Sequence, residues 1–209
     1  MKSFMEYKII LIAGGSASGK TFVINKVLEN LPKDNILHID LDDYYNDLSH
    51  LSLEERKKVN FDHPKALDWK LIVKQITDLK NGLSIEKPTY DFKVSNRTQI
   101  TQHIEPKKII IVEGIMALVN KKLRDLGDLK IFINCTRERR LLRRIKRDIE
   151  ERGRNKEFVL KQYLETVQPM YEEIIGPSSY YADLIINNDE ISTKSIDILT
   201  FLFKELLDE

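Results

Sequence analysis

One cysteine, six prolines and eight glycines stand in 209 residues, and each scarcity excludes something. With Cys135 alone no intramolecular disulfide can form, and neither a C-x-x-C pair nor H-E-x-x-H spacing offers a zinc cage. No apolar run approaches the ~18–20 residues of a membrane span. The stretch Ile9–Ala13 is also too short for a secretory h-region, so a reducing cytoplasm is the expected compartment. Neither sign of charge is in excess, because 34 Lys+Arg balance 33 Asp+Glu for a formal net charge of +1. That balance argues against a dedicated nucleic-acid or membrane-surface protein. Repeats, low-complexity tracts and linkers are lacking too, so one domain, 1–209, is expected, near the ~100–200 residues usual for one.

What is present is a 42% hydrophobic share with 32% charged residues, a normal core under a well-solvated surface. Short apolar runs alternate with amphipathic ones, the pattern of a parallel sheet with crossover helices. Strands are expected at Tyr7–Ala13, Asn35–Ile39, Lys108–Val112, Leu129–Asn134 and Asp183–Ile186. Helices are expected at Gly19–Asn30, Lys65–Lys80, Arg137–Arg152, Lys156–Met170 and Ser192–Leu207, where apolar residues recur at spacings of three and four. The fold class is therefore α/β, a five-stranded parallel sheet flanked by helices. Residues 83–105 differ: Pro88, the alternation around Tyr90 and Phe92 and the Thr/Gln-rich return suggest an inserted β-hairpin, read as a substrate flap.

The segment Gly14-Gly15-Ser16-Ala17-Ser18-Gly19-Lys20-Thr21 fits G-x-x-x-x-G-K-[ST], a loop whose backbone N–H groups surround phosphate oxygens at a helix N-terminus. Glycines are needed there because side chains would block the approach. Lys20 reaches the β/γ-phosphates in such a loop and the Thr21 hydroxyl ligates Mg²⁺. An apolar strand before it and a helix opening after it supply the context that a flexible Gly/Ser turn would lack. The dinucleotide spacing G-x-G-x-x-G is absent, which argues against nicotinamide and flavin enzymes. A switch-type GTPase is disfavoured as well, since no D-x-x-G occurs and Asn120-Lys121-Lys122-Leu123 lacks the Asp of N-K-x-D.

Asp40, Asp42 and Asp43 cluster just past the second strand, where ligands of open α/β sheets bind. Phosphoryl transfer to a hydroxyl needs a carboxylate to accept the proton, and an Asp there is placed for it. An EF-hand calcium loop starting at Asp40 would set Tyr45 at its glycine position and Leu51 at its glutamate position, so that reading is discarded. Glu113 ends the Ile109–Val112 run as a Walker-B acid would, acting on Mg²⁺ directly or through water. Between Arg137 and Arg154 nine basic residues face four acidic ones. Arg140, Arg144 and Arg147 fall away from the Leu142, Ile145 and Ile149 stripe and can converge on one polar ligand. A helical lid over 137–154 that brings arginines onto triphosphate is the favoured reading; a solvated face and a nucleic-acid contact are its rivals. Tyr44, Tyr45, Phe61, Tyr90, Phe92 and Tyr163 flank these polar candidates, as rings that stack on a nucleobase or as core.

Together with Phe61-Asp62-His63-Pro64, Tyr90-Asp91-Phe92, Arg143–Asp148 and Glu151–Arg154, these motifs resemble, in order and spacing, the uridine kinase (uridine–cytidine kinase) family over roughly Tyr7 to Leu207. The resemblance implies ATP- or GTP-dependent phosphorylation of a pyrimidine ribonucleoside at its 5′-hydroxyl, Mg²⁺, and commonly a homotetramer. It also implies that Asp42 is the general base and that Asp62 holds the ribose hydroxyls. Tyr45, Tyr90, Arg144, Gln162 and Tyr163 would attend the nucleoside, Phe61 and Phe92 its base, and Arg147, Arg152 and Arg154 the phosphates. Two residues depart from the family pattern. Asp43 replaces the usual Ser and is expected to raise the pKa of Asp42 by like-charge coupling. Ser95 replaces a His that reads the base edge, leaving base choice open. A kinase of another small-molecule alcohol and a nucleotide-gated binding module are the alternatives.

Overall fold

The computed structural model describes residues 6–190 and 192–208; residues 1–5, 191 and 209 of the expected domain lie outside the described residues. Its strands are β1 (Lys8–Ala13), β2 (Ile36–Asp40), β3 (Ile85–Asp91), β4 (Asn96–Ile104), β5 (Ile109–Glu113), β6 (Leu129–Asn134) and β7 (Leu184–Asn187). Five of them form one parallel sheet in the order β2-β5-β1-β6-β7, while β3 and β4 pair antiparallel as a separate hairpin. The helices are α1 (Lys20–Leu28), α2 (Leu53–Arg56), α3 (Trp69–Lys80), α4 (Lys121–Arg124), α5 (Arg137–Glu150), α6 (Lys156–Gln162), α7 (Gln168–Met170) and α8 (Thr193–Asp208).

The central strands are continuous Ile/Leu/Val runs because both faces of a parallel sheet are covered. Successive side chains point to opposite faces, so Ile9 and Leu11 pack with Ile72, Ile76 and Leu79 of α3. Ile10 and Ile12 pack on the other side with Val23, Ile24 and Val27 of α1 and Leu199 and Phe203 of α8. Burying each such side chain contributes about 1.5–3 kcal/mol.

All five expected strands are present within a residue or so of their expected bounds. Two helices differ. The one expected from Lys65 begins at Trp69, because Pro64 opens a short 3₁₀ turn and Asp68 caps α3 by accepting from the Leu71 N–H. The one expected to end at Met170 runs on through π turns at Tyr163–Val167 and Tyr171–Ile175. Pro169, which lacks an N–H, sits between these wider turns. The carboxyl ends of β1, β2 and β5 all open onto one edge of the sheet, and the hairpin and α5 close over that edge.

Candidate active site

Between β1 and α1 the chain turns through Gly14 (φ +151°), Ala17 (φ +61°) and Gly19 (φ +91°). A Cβ at Gly14 would stand 2.4 Å from the Ile133 carbonyl oxygen, and one at Gly19 would stand 2.3 Å from Asn188 Nδ2. Glycine is thus required at 14 by backbone contact as well as by φ, and at 19 by φ. The Ser18 carbonyl accepts from Asn188 Nδ2 at 2.8 Å and from Arg143 Nη1 at 3.2 Å, which fixes the loop against β7 and α5. Lys20 folds back, its Nζ donating to the carbonyls of Gly14 (3.1 Å) and Gly15 (3.4 Å). Burial pulls its ammonium below the ordinary lysine value, opposed by the charges of Glu113 and Asp42.

Parallel register sets Asp40 of β2 beside Glu113 of β5. The Thr21 hydroxyl donates to Glu113 Oε1 at 2.6 Å, and His38 Nε2 lies 3.0 Å from Oε2. Burial alone would raise Glu113; the His38 contact, the Lys20 charge and the Thr21 hydroxyl outweigh it and hold the carboxyl below its usual range. Asp40 is open to water within the cleft yet hemmed by protein, and this desolvation together with the Asp42 charge pushes its pKa up to about 7. Burial likewise raises Asp42, against the pull of Lys20 and a hydrogen bond from the Tyr45 hydroxyl. Thr21 and Glu113 set two hard oxygen donors beside the glycine loop, the residues that could hold a Mg²⁺ whose remaining shell comes from phosphate and water.

Asp43 does not join them. It turns out of the cleft and pairs with Lys87 of β3, so the expected coupling between Asp43 and Asp42 gives way to burial as the leading cause of the Asp42 shift.

Opposite the glycine loop, Tyr45 packs edge-on to Phe61 (5.1 Å) and against Tyr90 (5.2 Å), which in turn meets Phe92 at 5.1 Å. Asp62 is buried beside them, raised by desolvation and held back by Arg144. Ser95, in the β3–β4 turn with φ +49°, lines the same cleft of about 1330 Å³ as Ser16, Lys20, Asp42 and Gln162.

Helix α5 turns its basic face inward, with Arg144 and Arg147 at the cleft as their spacing suggested. Arg140, Arg144 and Asp148 are its buried residues, whereas Leu142 is 63% and Ile149 41% exposed. The inward face is polar because polar partners await it. Arg144 donates to Ser16 Oγ at 2.7 Å and to Gln162 Oε1 at 2.9 Å. Arg147, Arg152 and Arg154 line the cleft, with Arg152 5.1 Å above the Phe92 ring. Arg140 does not reach the cleft; its Nε donates to the Cys135 carbonyl and its guanidinium stacks on Tyr171 at 3.5 Å. Tyr163 is a second correction. It is fully buried outside the cleft, its hydroxyl donating to Gln168 Oε1 at 2.8 Å, because the π turn rotates it inward while Gln162 faces the arginines.

Sequence reasoning overlooked His38, Asn188 and Asp148. His38 lies two residues before Asp40 on β2, and that period-2 spacing was the available signal. Asn188 follows a strand end, a weak hint. For Asp148 the available signal was its spacing of four from both Arg144 and Arg152.

The chain matches the model of the phosphoribulokinase / uridine kinase family over residues 9–195. It is 48% identical over 199 residues to the uridine kinase of Macrococcus caseolyticus (strain JCSC5402), covering 95% of this chain and 97% of that one. It is also 48% identical to the uridine kinase of Staphylococcus carnosus (strain TM300), covering 95% and 96%. Among solved structures, phosphoribulokinase from Rhodobacter spheroides superposes with a TM-score of 0.65 at 14% identity, over 88% of this chain and 71% of that one. At that identity the likeness concerns the fold.

Proposed function

Because the chain belongs to the phosphoribulokinase / uridine kinase family, we propose that it transfers the terminal phosphoryl group of a nucleoside triphosphate to the 5′-hydroxyl of a pyrimidine ribonucleoside. It is a nucleoside kinase, and the observation that carries this reading is the placement of Asp42. The Asp42 carboxylate feels Lys20 of the glycine loop on one side and accepts from the Tyr45 hydroxyl, at the aromatic pocket, on the other.

In this reading the nucleoside lies along Tyr45, Phe61, Tyr90 and Phe92, and Asp62 accepts hydrogen bonds from the ribose hydroxyls. Asp42 takes the 5′-hydroxyl proton, the freed oxygen forms its bond to the γ-phosphorus, and the bond to the β–γ bridging oxygen breaks, releasing the nucleoside diphosphate. Lys20 and Arg147 face the charge carried by the transferring oxygens, where preorganised cations act most strongly. The N–H groups of residues 14–21, with Arg152 and Arg154, hold the remaining phosphates of ATP or GTP. Mg²⁺ held by Thr21 and Glu113 would neutralise phosphate charge. The family resemblance extends to a homotetramer, and the exposed Leu142 and Ile149 are apolar surface that such an assembly can cover; light scattering in solution tests it.

The decisive experiment follows diphosphate release over a panel of acceptors. Turnover that depends on uridine or cytidine is expected. Stimulation by a sugar phosphate or pantothenate instead, or turnover indifferent to every acceptor, would overturn the proposal.

A further inference from the structure

Four arginines of the cleft share one carboxylate that the cleft never touches. Asp148, in the last turns of α5, is fully buried and is absent from the cleft lining, whereas Arg144, Arg147, Arg152 and Arg154 all line it. Arg147 commits two donors to Asp148 Oδ1, Nε at 2.9 Å and Nη2 at 2.7 Å. Arg154 Nη1 reaches Oδ2 at 3.3 Å. Arg144 Nε and Arg152 Nη1 stand 3.7 and 3.8 Å from the two oxygens. The backbone closes the arrangement, since the Arg154 N–H donates to the Asp148 carbonyl at 3.0 Å and Gly153 takes φ +62° to let the chain fold back.

Four guanidinium charges against one carboxylate would repel one another and point outward if left to themselves. A buried anion at their centre fixes their directions and leaves a net positive charge facing the cleft. Its own location, behind them, prevents any contact with substrate. We propose that Asp148 is the positioning residue for the phosphate donor: it aims Arg147, Arg152 and Arg154 at the triphosphate and ties that set, through Arg144, to Ser16 of the glycine loop. This rests on the reading of the cleft as a kinase site.

Position and charge make opposite predictions, so they can be separated. Tripolyphosphate serves as a probe that carries the anion without base or sugar, and uridine serves as the probe of the acceptor side. Asp148→Asn adds positive charge to the cleft, and Asp148→Glu keeps the charge while shifting the carboxylate by about one methylene. Each charge-assisted hydrogen bond to a phosphate oxygen that is lost weakens binding by about ten-fold or more. Both variants are therefore expected to bind tripolyphosphate at least about ten-fold more weakly, to raise the donor KM in step, and to lose clearly less affinity for uridine, whose one partner in the set, Arg144, stays tied to Ser16 and Gln162. Should Asp148→Asn fail to fold, Asp148→Glu decides the matter. Tripolyphosphate bound as tightly as in wild type by Asp148→Glu, or more tightly by Asp148→Asn, would show a charge effect only and sink the proposal. Equal losses for uridine and tripolyphosphate would sink it too, as the sign of a general structural role. None of these binding measurements depends on acceptor turnover, so wild-type protein inactive with every pyrimidine nucleoside would refute the kinase assignment separately.

Discussion

Asp42 and Asp43 are adjacent in the chain but answer to different surroundings, so substituting each one reads a different quantity. Asp42 looks into the cleft and loses only its proton-accepting role on conversion to Asn. We expect Asp42→Asn to lower kcat by about 10²–10⁴ with little change in nucleoside KM, measured in steady state. Asp43→Ser strands the buried Lys87 ammonium without its partner. The expected result is near-normal kcat with a lower urea midpoint, a loss toward the low end of the ~3–5 kcal/mol typical of breaking a buried pair, since Asp43 stays a quarter exposed. A larger kcat loss from Asp43→Ser would move the base by one residue. Lys20→Ala is expected to abolish most turnover while the unfolding midpoint changes little. The two carbonyl contacts it loses are offset by relief of a desolvated ammonium, and a midpoint shift as large as the activity loss would count against that account.

At the scale of elements, the strands were legible because five-residue Ile/Val runs have few other uses, and the hairpin because Pro88 and the Thr-rich return forbid a helix. Helix α5 was legible as a helix with a ligand-facing basic side, but the partners that hold its arginines were not. Periodicity separated an apolar stripe from a basic one and left Arg140, Arg144 and Arg147 to converge on one polar ligand; of the three, the structure keeps Arg140 out of the cleft. The basic stripe faces inward because Ser16 of the glycine loop and Gln162 of α6 satisfy it there, together with Asp148 on α5 itself. The hairpin carries its own prediction. Its turn holds Ser95 at φ +49°, a left-handed conformation that His adopts more readily than most L-residues, over the cleft beside Phe92. Ser95→His is expected to raise kcat/KM for uridine or cytidine by about 2–12-fold, the worth of one added hydrogen bond of ~0.5–1.5 kcal/mol. Strong preference for one pyrimidine in the wild type, unimproved in the variant, would mean that other residues read the base.

For the molecule as a whole, the cleft trades stability for charge. Asp40 titrates at about 7 in the fold, against ~4 in an unfolded chain, so the folded state alone keeps its proton between those values. The stabilisation tied to that proton is complete below about pH 4 and is lost as the pH rises through about 7. The stability of Asp40→Asn relative to wild type, from urea unfolding of the ligand-free protein, should therefore increase between pH 5 and pH 8; a pH-independent difference would contradict the shift. Asp42 is raised as well, so kcat/KM should fall on acidification at a pH above the ordinary carboxylate range. The sequence by itself determined the α/β sheet, the phosphate loop and most of the residues that line the cleft. These depend on local rules: side-chain alternation along strands, glycine where a Cβ would collide, and carboxylates at strand ends. Only the tertiary structure decided that Asp43 leaves the cleft, that Tyr163 is buried, that Arg140 stops short of the cleft and that the Asp148 carboxylate lies behind it among four arginines. Lys87 for Asp43 and the glycine loop for Arg144 are partners distant in the chain, and contacts made across such separations leave no period in the sequence.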